Sequence, residues 1–495
     1  MNDNTKFGIS LSLYGGITIL SVPFFQSCDA KDASETSPPN IVFILIDDQR
    51  YDFLSFLGHP WIKTPNIDRL AENSVYFENA YVTTSLCSPS RASILTGMYA
   101  HAHTVIDNDT FLPLELPRFA SVLQKGGYKT AFLGKYHMGP GSDPQPGFDY
   151  WLSFSGQGKY VDPDFNLNGE NFSMEGYMTD ILTDYAVDFI HENVKNNNRY
   201  FLYLSHKAVH EDFTPAERHK GYYSDLIIPR QATFENTEQN NAGKPEWAVK
   251  QRRSWHGAER ENLGGFDNFF RRYSECMLGV DESVGRIVQT LEDLDELENT
   301  LIIYFSDNGY MMGEHGLIDK RVMYEESIRV PLFFHYPAMI KEHVMRSEFA
   351  LNIDLGPTIL DFANLEIPEA MHGKSLFPLI KNLETEWRKD FIYEYFCDPQ
   401  APQTPTIIGL RTEQYSYIPP QGIWGISELY DMHKDPEQRN NLFKDITFGQ
   451  RYGTFPVTVR NQDSELYQII MPLEERINEI LEETGGRRKA SWKAF

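Results

Sequence analysis

Three short apolar runs, each stopping at polar residues, constrain the fold of this chain more than any other feature. They cover residues 40–49 (NIVFILIDDQ), 200–210 (YFLYLSHKAVH) and 300–309 (TLIIYFSDNG). Runs of this length, rich in Ile, Val, Phe and Tyr, are typical of strands buried on both faces of a sheet. Amphipathic patterns between them, clearest over residues 280–294, indicate helices. The alternation predicts an α/β fold in which a large, mostly parallel sheet is flanked by helices.

Polar residues end all three runs, and ligands in such folds gather beyond the carboxyl ends of the strands. These residues are Asp47 and Asp48, His206 and His210, and Asp307 and Asn308. Carboxylate and amide oxygens are hard ligands that suit Ca²⁺ or Mg²⁺ better than zinc. Either acidic pair alone could simply cap a turn, but both pairs at the ends of buried strands predict a metal site. Its ligands would be Asp47, Asp48, Asp307 and Asn308.

The remainder of the chain divides by composition. Residues 214–266 are polar and lack a clear period, which indicates an insertion over the rim of the site in a catalytic domain spanning residues 40–384. After residue 385, short strand patterns and a helical pattern near 464–483 predict a smaller C-terminal α+β subdomain with an antiparallel sheet, ending at residue 495.

The N-terminus has the pattern of an export signal. Lys6 precedes a largely apolar run, and Cys28 follows the small Ser27, as at a lipoprotein attachment site. We expect residues 1–27 to be a signal peptide, Cys28 to be lipidated, and residues 28–39 to form a linker; plain secretion is the alternative. The expected location is the periplasm, the outer membrane or the cell surface, with membrane contact only through the lipid anchor.

Charge and cysteine content narrow the possible partners. The formal net charge is −25, which makes binding to a nucleic-acid backbone unfavourable and requires local basic residues for any anionic substrate. Besides Cys28, the sequence has Cys87, Cys276 and Cys397, too few for a disulfide framework. We expect Cys276 and Cys397 to be buried packing residues.

Residues 83–97 (TTSLCSPSRASILTG) predict a turn entering a short helix. Ser88 could cap it, Pro89 suits the first position, and Gly97 could end it. That interpretation leaves Cys87 and Arg91 without a purpose.

These residues and several other motifs resemble the type I, formylglycine-dependent sulfatases of the alkaline phosphatase superfamily. The family signature, Cys-x-Pro-x-Arg extended to Leu-Thr-Gly, is matched over residues 87–97. A second block appears as GYKTAFLGKYH, and the segments SDNG, GEHGLIDK and LYDMHKDPEQRNNL also match. The resemblance covers roughly residues 40–443, with the motifs in family order.

The resemblance implies that a sulfatase-maturing enzyme oxidises Cys87 to formylglycine. One hydroxyl of the hydrated aldehyde then attacks the sulfur of a sulfate ester, and the other later expels the sulfate. A metal, Ca²⁺ or Mg²⁺, would be held by the four predicted ligands together with residue 87, and would polarise a nucleophile oxygen and a sulfate oxygen.

Roles for the other residues follow from the same resemblance. Arg91 and Lys135 would stabilise the hydrated aldehyde and the sulfate, and His137 would be the base that drives sulfate release. Lys320 and His210 would hold the sulfate and protonate the leaving alcohol, with His206 as a competitor for the role of His210. Three histidines could also line the substrate pocket: His103, His206 and His315.

Other functions remain open at this point. They are a phosphonate or phosphodiester hydrolase of the same superfamily, a thiol enzyme using Cys87 directly, and an inactive glycan-binding lipoprotein. The expected substrate is a sulfated oligosaccharide from polysaccharide breakdown. The stretch PGFDYWLSFSGQGKYVDPDFNLNG resembles bacterial enzymes acting on N-acetylglucosamine-6-sulfate, and algal polysaccharides such as ulvan or carrageenan are rivals.

Overall fold

The computed structural model describes residues 37–259, 264–421, 427–444 and 465–487. The expected signal peptide, Cys28 and most of the linker lie outside these ranges. The described residues from 38 onward form one compact unit, and the domain boundary after residue 384 stays a prediction. Among the described helices, none is both long and apolar enough to cross a membrane.

The elements follow one another as strands and helices of very different length. The strands are β1 Asn40–Ile46, β2 Ser74–Phe77, β3 Ala80–Tyr81, β4 Lys129–Gly134, β5 Tyr150–Ser153, β6 Asp164–Leu167, β7 Glu170–Ser173, β8 Tyr200–Ser205, β9 Thr300–Ser306, β10 Met311–Met312, β11 Ile318–Asp319, β12 Leu332–His335, β13 Val344–Arg346, β14 Ala350–Leu351, β15 Asp390–Tyr395, β16 Thr406–Thr412, β17 Tyr415–Ile418, β18 Pro420–Gln421 and β19 Glu428–Asp431. The α-helices are α1 Pro65–Ala71, α2 Cys87–Thr96, α3 Ala100–His103, α4 Phe119–Lys125, α5 Met178–Lys195, α6 Glu238–Asn241, α7 Glu246–Gln251, α8 Phe266–Asp293, α9 Glu325–Ile328, α10 Leu355–Phe362, α11 Phe377–Ile380 and α12 Glu465–Glu483. Short 3-10 helices lie at Ser55–Leu57, Glu217–His219, Leu297–Asn299, Glu314–Gly316 and Asn352–Asp354.

The large sheet has ten strands in the order β13-β2-β12-β9-β1-β8-β4-β5-β6-β7. Its five central strands, β9 to β5 in that order, are mutually parallel, as the apolar runs predict. Antiparallel neighbours flank them, so the sheet is mixed: β12 pairs with β9 and β2, and β6 pairs with β5 and β7. Parallel pairing needs a long crossover, usually through a helix, whereas the one α-helix between β9 and β12 is the four-residue α9, and β5, β6 and β7 follow one another without a helix.

Alternating side chains of the central strands enter two hydrophobic cores. In β1, Ile41, Phe43 and Leu45 pack on the side of α2, α4 and α10. Val42 and Ile44 pack on the other side, against α1, α5 and α8. The sheet is therefore the middle of three layers, and its residues are apolar on both faces because neither face meets water.

A second sheet in the C-terminal region has the order β15-β16-β17-β19, with β18 paired to β16, and all its pairings are antiparallel. It packs into the core layer on the α2 side, and α12 contributes Ile470 and Ile477 to the same core. This confirms the predicted α/β fold with a C-terminal antiparallel sheet. Cys276 is buried in α8 as expected, but Cys397 is exposed, because β15 ends two residues before it.

The described part of the polar segment 214–266 forms short helices joined by loops, in keeping with its lack of period. Lys244 anchors it to the C-terminal sheet, since its Nζ donates to the Tyr430 hydroxyl (2.6 Å) and the Gln438 carbonyl (3.0 Å). The buried Arg252 holds the segment together internally by donating to the Phe234 carbonyl at 2.7 Å.

Candidate active site

The helix that presents Cys87 begins earlier than the sequence suggests. In α2 the N-cap is Leu86 and Cys87 is the first helical residue, so Ser88 and Pro89 lie inside the first turn. Pro89 is tolerated there because the first N–H groups of a helix have no intrahelical acceptor. Gly97 ends the helix in the left-handed region with φ 65°, as predicted.

Side chains from elsewhere in the fold hold this N-terminus in place. The Ser88 N–H donates to Asn108 Oδ1 at 3.2 Å, so a loop amide takes the place of a local cap. The Ser88 hydroxyl lies 3.3 Å from His137 Nδ1 and also donates to the His137 carbonyl. All ten residues of α2 are buried, and its positive N-terminal end is aimed into the protein at Cys87.

Three carboxylates converge at the ends of β1 and β9. Ile46 pairs with Ser306 in the parallel register, so Asp47 and Asp307 leave neighbouring strand ends side by side. The Asp48 N–H donates to Asp307 Oδ1 at 3.1 Å. Oxygens of Asp47, Asp48 and Asp307 lie within 4.8 Å of one another and all three residues are fully buried. The expected convergence at one rim of the sheet is therefore observed.

Three cations compensate these carboxylates. Lys135 Nζ contacts the Asp47 carboxylate and lies 3.7 Å from Cys87 Sγ. Arg91 Nε donates to Asp307 Oδ2 at 2.8 Å, and Arg91 Nη2 lies 2.8 Å from the same oxygen as an ion-pair contact. Lys320 Nζ lies 2.5 and 2.6 Å from the two Asp48 oxygens. Buried charges at this density are stable only when paired in this way.

The donor set fits a hard divalent cation. Asn308 Nδ2 donates to Asp48 Oδ1 at 2.6 Å, which leaves its Oδ1 on the other side of the amide. That oxygen is buried and has no hydrogen-bond partner among the described residues. A buried carbonyl oxygen without a donor, next to three carboxylates, is the arrangement expected of a Ca²⁺ or Mg²⁺ site built from oxygen ligands.

Burial and charge shift the carboxylates in opposite directions. Burial raises the pKa of Asp48 to about 7, and the negative charge of Asp47 adds to the effect although Lys320 opposes it. Burial would also raise the pKa of Asp47, but Lys135 and its other cationic neighbours outweigh it and hold that pKa well below the ordinary value. Neighbouring carboxylates thus differ because they have different cationic partners.

The groups around the carboxylates are shifted by the same causes. Burial and the nearby charge of Asp47 raise the pKa of the Cys87 thiol to about 12, so the unmodified thiol stays protonated at neutral pH. Burial and the charge of Lys135 hold the pKa of His137 and of His210 well below the usual range. Both imidazoles are therefore neutral at pH 7 in this arrangement.

His210 lies at the edge of the cluster. Its Nε2 is 3.9 Å from Asp48 Oδ2, and Nδ1 lies 2.6 Å from the Glu211 carbonyl. Because a carbonyl only accepts, Nδ1 carries the proton and Nε2 faces the carboxylates. Tyr160 fixes the segment by donating its hydroxyl to the His210 carbonyl at 2.7 Å.

The other three histidines lie in the fold rather than in the cluster. His206 is on the opposite face of the sheet from Ser205, and its Nε2 bonds Ser283 of α8 at 3.0 Å. His103 bonds Ser93 through Nε2 at 3.0 Å and accepts from a backbone N–H through Nδ1. Both rings are fully buried, so the expectation that they line a substrate pocket is corrected. The rule of alternating faces along a strand explains the case of His206.

His315 occupies the turn Glu314–Gly316 with φ 55°. Its ring packs against Tyr324 with the centroids 4.2 Å apart and the ring planes tilted by 37°, and the Tyr324 hydroxyl donates to Glu428 of the C-terminal sheet at 2.7 Å. The side chain is buried between that loop and that sheet, which does not support its predicted place on the pocket surface.

Sequence reasoning missed several residues that the fold brings to the site. Ser205 Oγ accepts from Arg91 Nη1 at 2.7 Å, and Asn108 supports the helix start. Arg321, next to Lys320, pairs with Asp319 at 2.5 Å and approaches Asp398 at 3.8 Å. Of these residues, only Ser205 could have been predicted from the sequence, because it lies at the end of a predicted strand. Asn108 and Asp398 lie in loops, where the sequence has no periodic pattern.

The cluster as a whole joins an oxygen-rich cation site, a helix N-terminus and three cationic side chains around the side chain of residue 87. Such a site can bind a divalent cation and a tetrahedral anion together and stabilise negative charge on the anion during its transfer.

Comparison with known proteins gives matches along most of the chain. The sulfatase family model matches residues 39–365, and the model for the C-terminal region of N-sulphoglucosamine sulphohydrolase matches residues 313–454. An N-acetylglucosamine-6-O-sulfatase of Bacteroides thetaiotaomicron is 34% identical over 484 residues and covers 86% of each chain. An ulvan-active sulfatase of Formosa agariphila is 29% identical and covers 88% of this chain and 84% of that one.

A solved structure has the same fold. The protein BT4656, in complex with its substrate D-glucosamine-2-N,6-O-disulfate, matches with a TM-score of 0.79 and 30% identity. The match covers 92% of this chain and 100% of that chain, so it includes both sheets.

Proposed function

The chain belongs to the sulfatase family and is a sulfuric ester hydrolase of sulfated glycans, and we propose that it removes the 6-O-sulfate of an N-acetylglucosamine-type sugar with a nucleophile made from Cys87. The main support is one observation: the N-terminus of α2 presents Cys87 beside three buried carboxylates and three cations. A divalent-cation site facing a modifiable cysteine serves sulfate transfer.

The choice of sugar rests on the relatives. The 34% identical protein acts on an N-acetylglucosamine 6-sulfate, and the solved structure at 30% identity holds a glucosamine bearing sulfate at the same position. The ulvan-active relative, at 29% identity, makes an algal polysaccharide the second candidate. Both are sulfated glycans, so the reaction is the same and only the pocket for the sugar differs.

The nucleophile is proposed to be formylglycine formed from Cys87 by a sulfatase-maturing enzyme. When present, its hydrated form supplies one hydroxyl for attack on sulfur and a second that allows sulfate to leave. Because the Cys87 side chain is fully buried in the folded protein, the modification has to precede folding.

The metal is proposed to be Ca²⁺, with Mg²⁺ as the alternative, held by Asp47, Asp48, Asp307 and Asn308. When bound, it supplies positive charge that polarises an oxygen of the nucleophile and an oxygen of the sulfate. Lys135, 3.7 Å from Sγ, places a further positive charge at residue 87. Arg91 orients Asp307 through the hydrogen bond from Nε and the ion-pair contact of Nη2, and so fixes one metal ligand.

Proton transfers are assigned to groups that are already in place. The neutral His137 is proposed to accept the proton from residue 87 that allows sulfate to leave, since Ser88 holds its ring next to the helix start. Lys320 is proposed to hold the sulfate. His210, whose Nε2 faces the cluster, is proposed to protonate the leaving alcohol once the bound sulfate adds negative charge beside it.

The location is also proposed from the N-terminal segment, which lies outside the described residues. Lys6 and the following apolar run support export, and Cys28 supports a lipid anchor in the periplasm or at the outer membrane. Enzyme at this location would meet glycan fragments that enter from outside the cell.

The direct test is release of sulfate from defined sugars by protein produced together with a maturing enzyme. The panel contains N-acetylglucosamine-6-sulfate, glucosamine-2-N,6-O-disulfate, galactose-6-sulfate, ulvan oligosaccharides and an aryl phosphonate. We expect turnover of the two glucosamine 6-sulfates. Turnover of ulvan fragments alone would replace the proposed sugar, and turnover of the phosphonate alone would contradict sulfate ester hydrolysis.

A further inference from the structure

A cavity of about 420 Å³ lies beside the segment that follows His210. Its wall begins at Phe213, three residues further on, and the Phe213 N–H lies 3.4 Å from the His210 carbonyl. The opposite wall is the first half of α8, and the rest comes from the polar segment 214–266. A volume of this size accommodates a monosaccharide unit or its charged substituent.

The lining of this cavity is strongly basic in an acidic protein. Lys220, Arg271 and Arg272 line it, and Glu275 is the one carboxylate among the lining residues. Lys220 is paired with Glu217, which does not line the cavity. Arg271 uses Nε to donate to the Leu226 carbonyl at 2.5 Å, so its charge is positioned but not neutralised. The net charge of −25 makes this local excess of cations an exception to the rest of the chain.

Arg272 is the residue that most needs a ligand. Its Nε is buried and has no hydrogen-bond partner in the described part of the chain. Glu275, one turn further along α8, is occupied by the Tyr223 N–H at 3.3 Å. Because that Nε is closed off from solvent, the terminal guanidinium nitrogens of Arg272 are the donors left for a ligand, and planar donors of this kind suit carboxylate and sulfate.

We propose that this cavity, named here the Arg272 cavity after its lining residues Lys220, Arg271 and Arg272, binds an anionic group on a sugar next to the one whose sulfate ester is cleaved. The inference rests on the proposed function and extends it, because it makes the preferred substrate an oligosaccharide with an acidic neighbouring sugar. The anion is a uronate carboxylate or a second sulfate, which share this chemistry.

The test measures binding without turnover, in Cys87→Ala protein by titration calorimetry. The probes are three tetrasaccharides with N-acetylglucosamine 6-sulfate at the non-reducing end, whose next sugar is a uronate, a sulfated neutral sugar or an unmodified neutral sugar. Adding Arg272→Ala should weaken binding of the first or second probe about tenfold, as expected for loss of a charge-assisted contact, and leave the third unchanged. The probe that loses affinity identifies carboxylate or sulfate as the anion.

The matched control is Arg286→Ala, which removes an exposed arginine of the same helix that pairs with Asp184 at 2.5 Å. It should leave all three affinities unchanged. Melting temperatures separate a loss of binding from a loss of structure. The melting temperature of Arg272→Ala should not fall, since the substitution removes an uncompensated cation. Arg272→Gln provides a second variant with a longer, neutral side chain. Equal affinities of the parent and both Arg272 variants, or equal losses on all three probes, would overturn the proposal. Failure of the matured enzyme to desulfate N-acetylglucosamine-6-sulfate would count against the proposed function instead.

Discussion

At the scale of single residues, one side chain has to protonate the leaving alcohol, and the candidates are Lys320 and His210. Lys320 contacts both oxygens of Asp48 and carries its proton firmly, since Asp48 outweighs the effect of burial and keeps the pKa of Lys320 well above its ordinary value. His210 is less tightly held, with Nε2 at 3.9 Å from Asp48 and the side chain partly exposed. A group that must give up a proton during turnover fits the second description better.

His210→Ala should slow hydrolysis of sugar sulfates by ~10²–10⁴-fold while affecting an activated aryl sulfate far less. A sugar alkoxide leaves poorly without a proton, whereas nitrophenolate needs little help. The measurement is kcat/KM on N-acetylglucosamine-6-sulfate and on nitrophenyl sulfate.

His206→Ala is the matched control, because that ring bonds Ser283 on the other face of the sheet. It should change the stability of the protein but not the ratio of the two rates. If His206→Ala shows the selective loss and His210→Ala does not, the assignment of the acid is wrong.

Residue identities were predictable where a strand end fixed them. Asp47 and Asp307 follow apolar runs that the sequence displays, and the parallel pairing brings them together. The face of the sheet on which His206 lies was not predicted, because the sequence does not show whether the alternation of faces along β8 continues past the end of the strand. Asn108 lies far along the chain in a loop and meets Ser88 only through tertiary packing.

At the scale of elements, α8 stabilises α1 by capping its N-terminus. The Asp281 carboxylate of α8 accepts from the backbone N–H groups of Asn66 (3.0 Å) and Ile67 (2.9 Å) in the first turn of α1. It also accepts from Asn66 Nδ2 at 2.8 Å. Since α1 has no side-chain cap of its own, the cap comes from a residue more than 200 positions away.

Asp281→Ala should lower the free energy of unfolding by about 1–3 kcal/mol, because two helix N–H groups lose their acceptor inside the fold. Denaturant unfolding measures the change. Arg69→Ala removes another polar contact between the same helices, the exposed ion pair with Glu292, and should cost less than about 0.5 kcal/mol. Equal losses in the two variants would show that the buried cap is not what links α1 to α8.

The elements themselves were largely predictable from the sequence. The three apolar runs form β1, β8 and β9, and the late strand patterns form the C-terminal sheet. The start of α2 was predicted two residues late, because the cap signals of Ser88 and Pro89 are overridden by the hydrogen bond that the Ser88 N–H donates to Asn108 Oδ1. The antiparallel flanks of the large sheet were missed, since short strands leave little periodicity.

At the scale of the whole molecule, the cation site brings together segments that are far apart in sequence, beginning with the ends of two central strands. Asp47, Asp48 and Asp307 come from the ends of β1 and β9, and Lys320 and Arg91 reach them from other segments. A bound metal therefore links parts of the chain that are distant in sequence. Binding to the folded state alone stabilises it according to the excess of free metal over the dissociation constant.

Removal of the metal by a chelator should abolish activity and lower the melting temperature, and Ca²⁺ should restore both. At a hundredfold excess over the dissociation constant the stabilisation is about 2.7 kcal/mol. Elemental analysis identifies the ion in the purified protein. Stoichiometric zinc, or full activity after complete metal removal, would contradict an oxygen-rich Ca²⁺ or Mg²⁺ site.

The large-scale organisation followed from composition and periodicity, but the distribution of charge did not. A net charge of −25 gives no sign of where cations concentrate. The grouping of Arg91, Lys135 and Lys320 around Cys87 arises only when three segments fold together. The Arg272 cavity likewise combines α8 with the irregular segment before it.

The central claim is that residue 87, once oxidised, is the nucleophile of a sulfatase acting on a 6-sulfated glucosamine. The most direct measurement couples the mass of the peptide containing residue 87 with sulfate release from N-acetylglucosamine-6-sulfate, in protein made with and without a maturing enzyme. We predict a peptide lighter by the difference between a thiol and an aldehyde, activity in proportion to that conversion, and no turnover by Cys87→Ala, which keeps its fold. Full activity with an unmodified thiol, or in Cys87→Ala, would contradict the account.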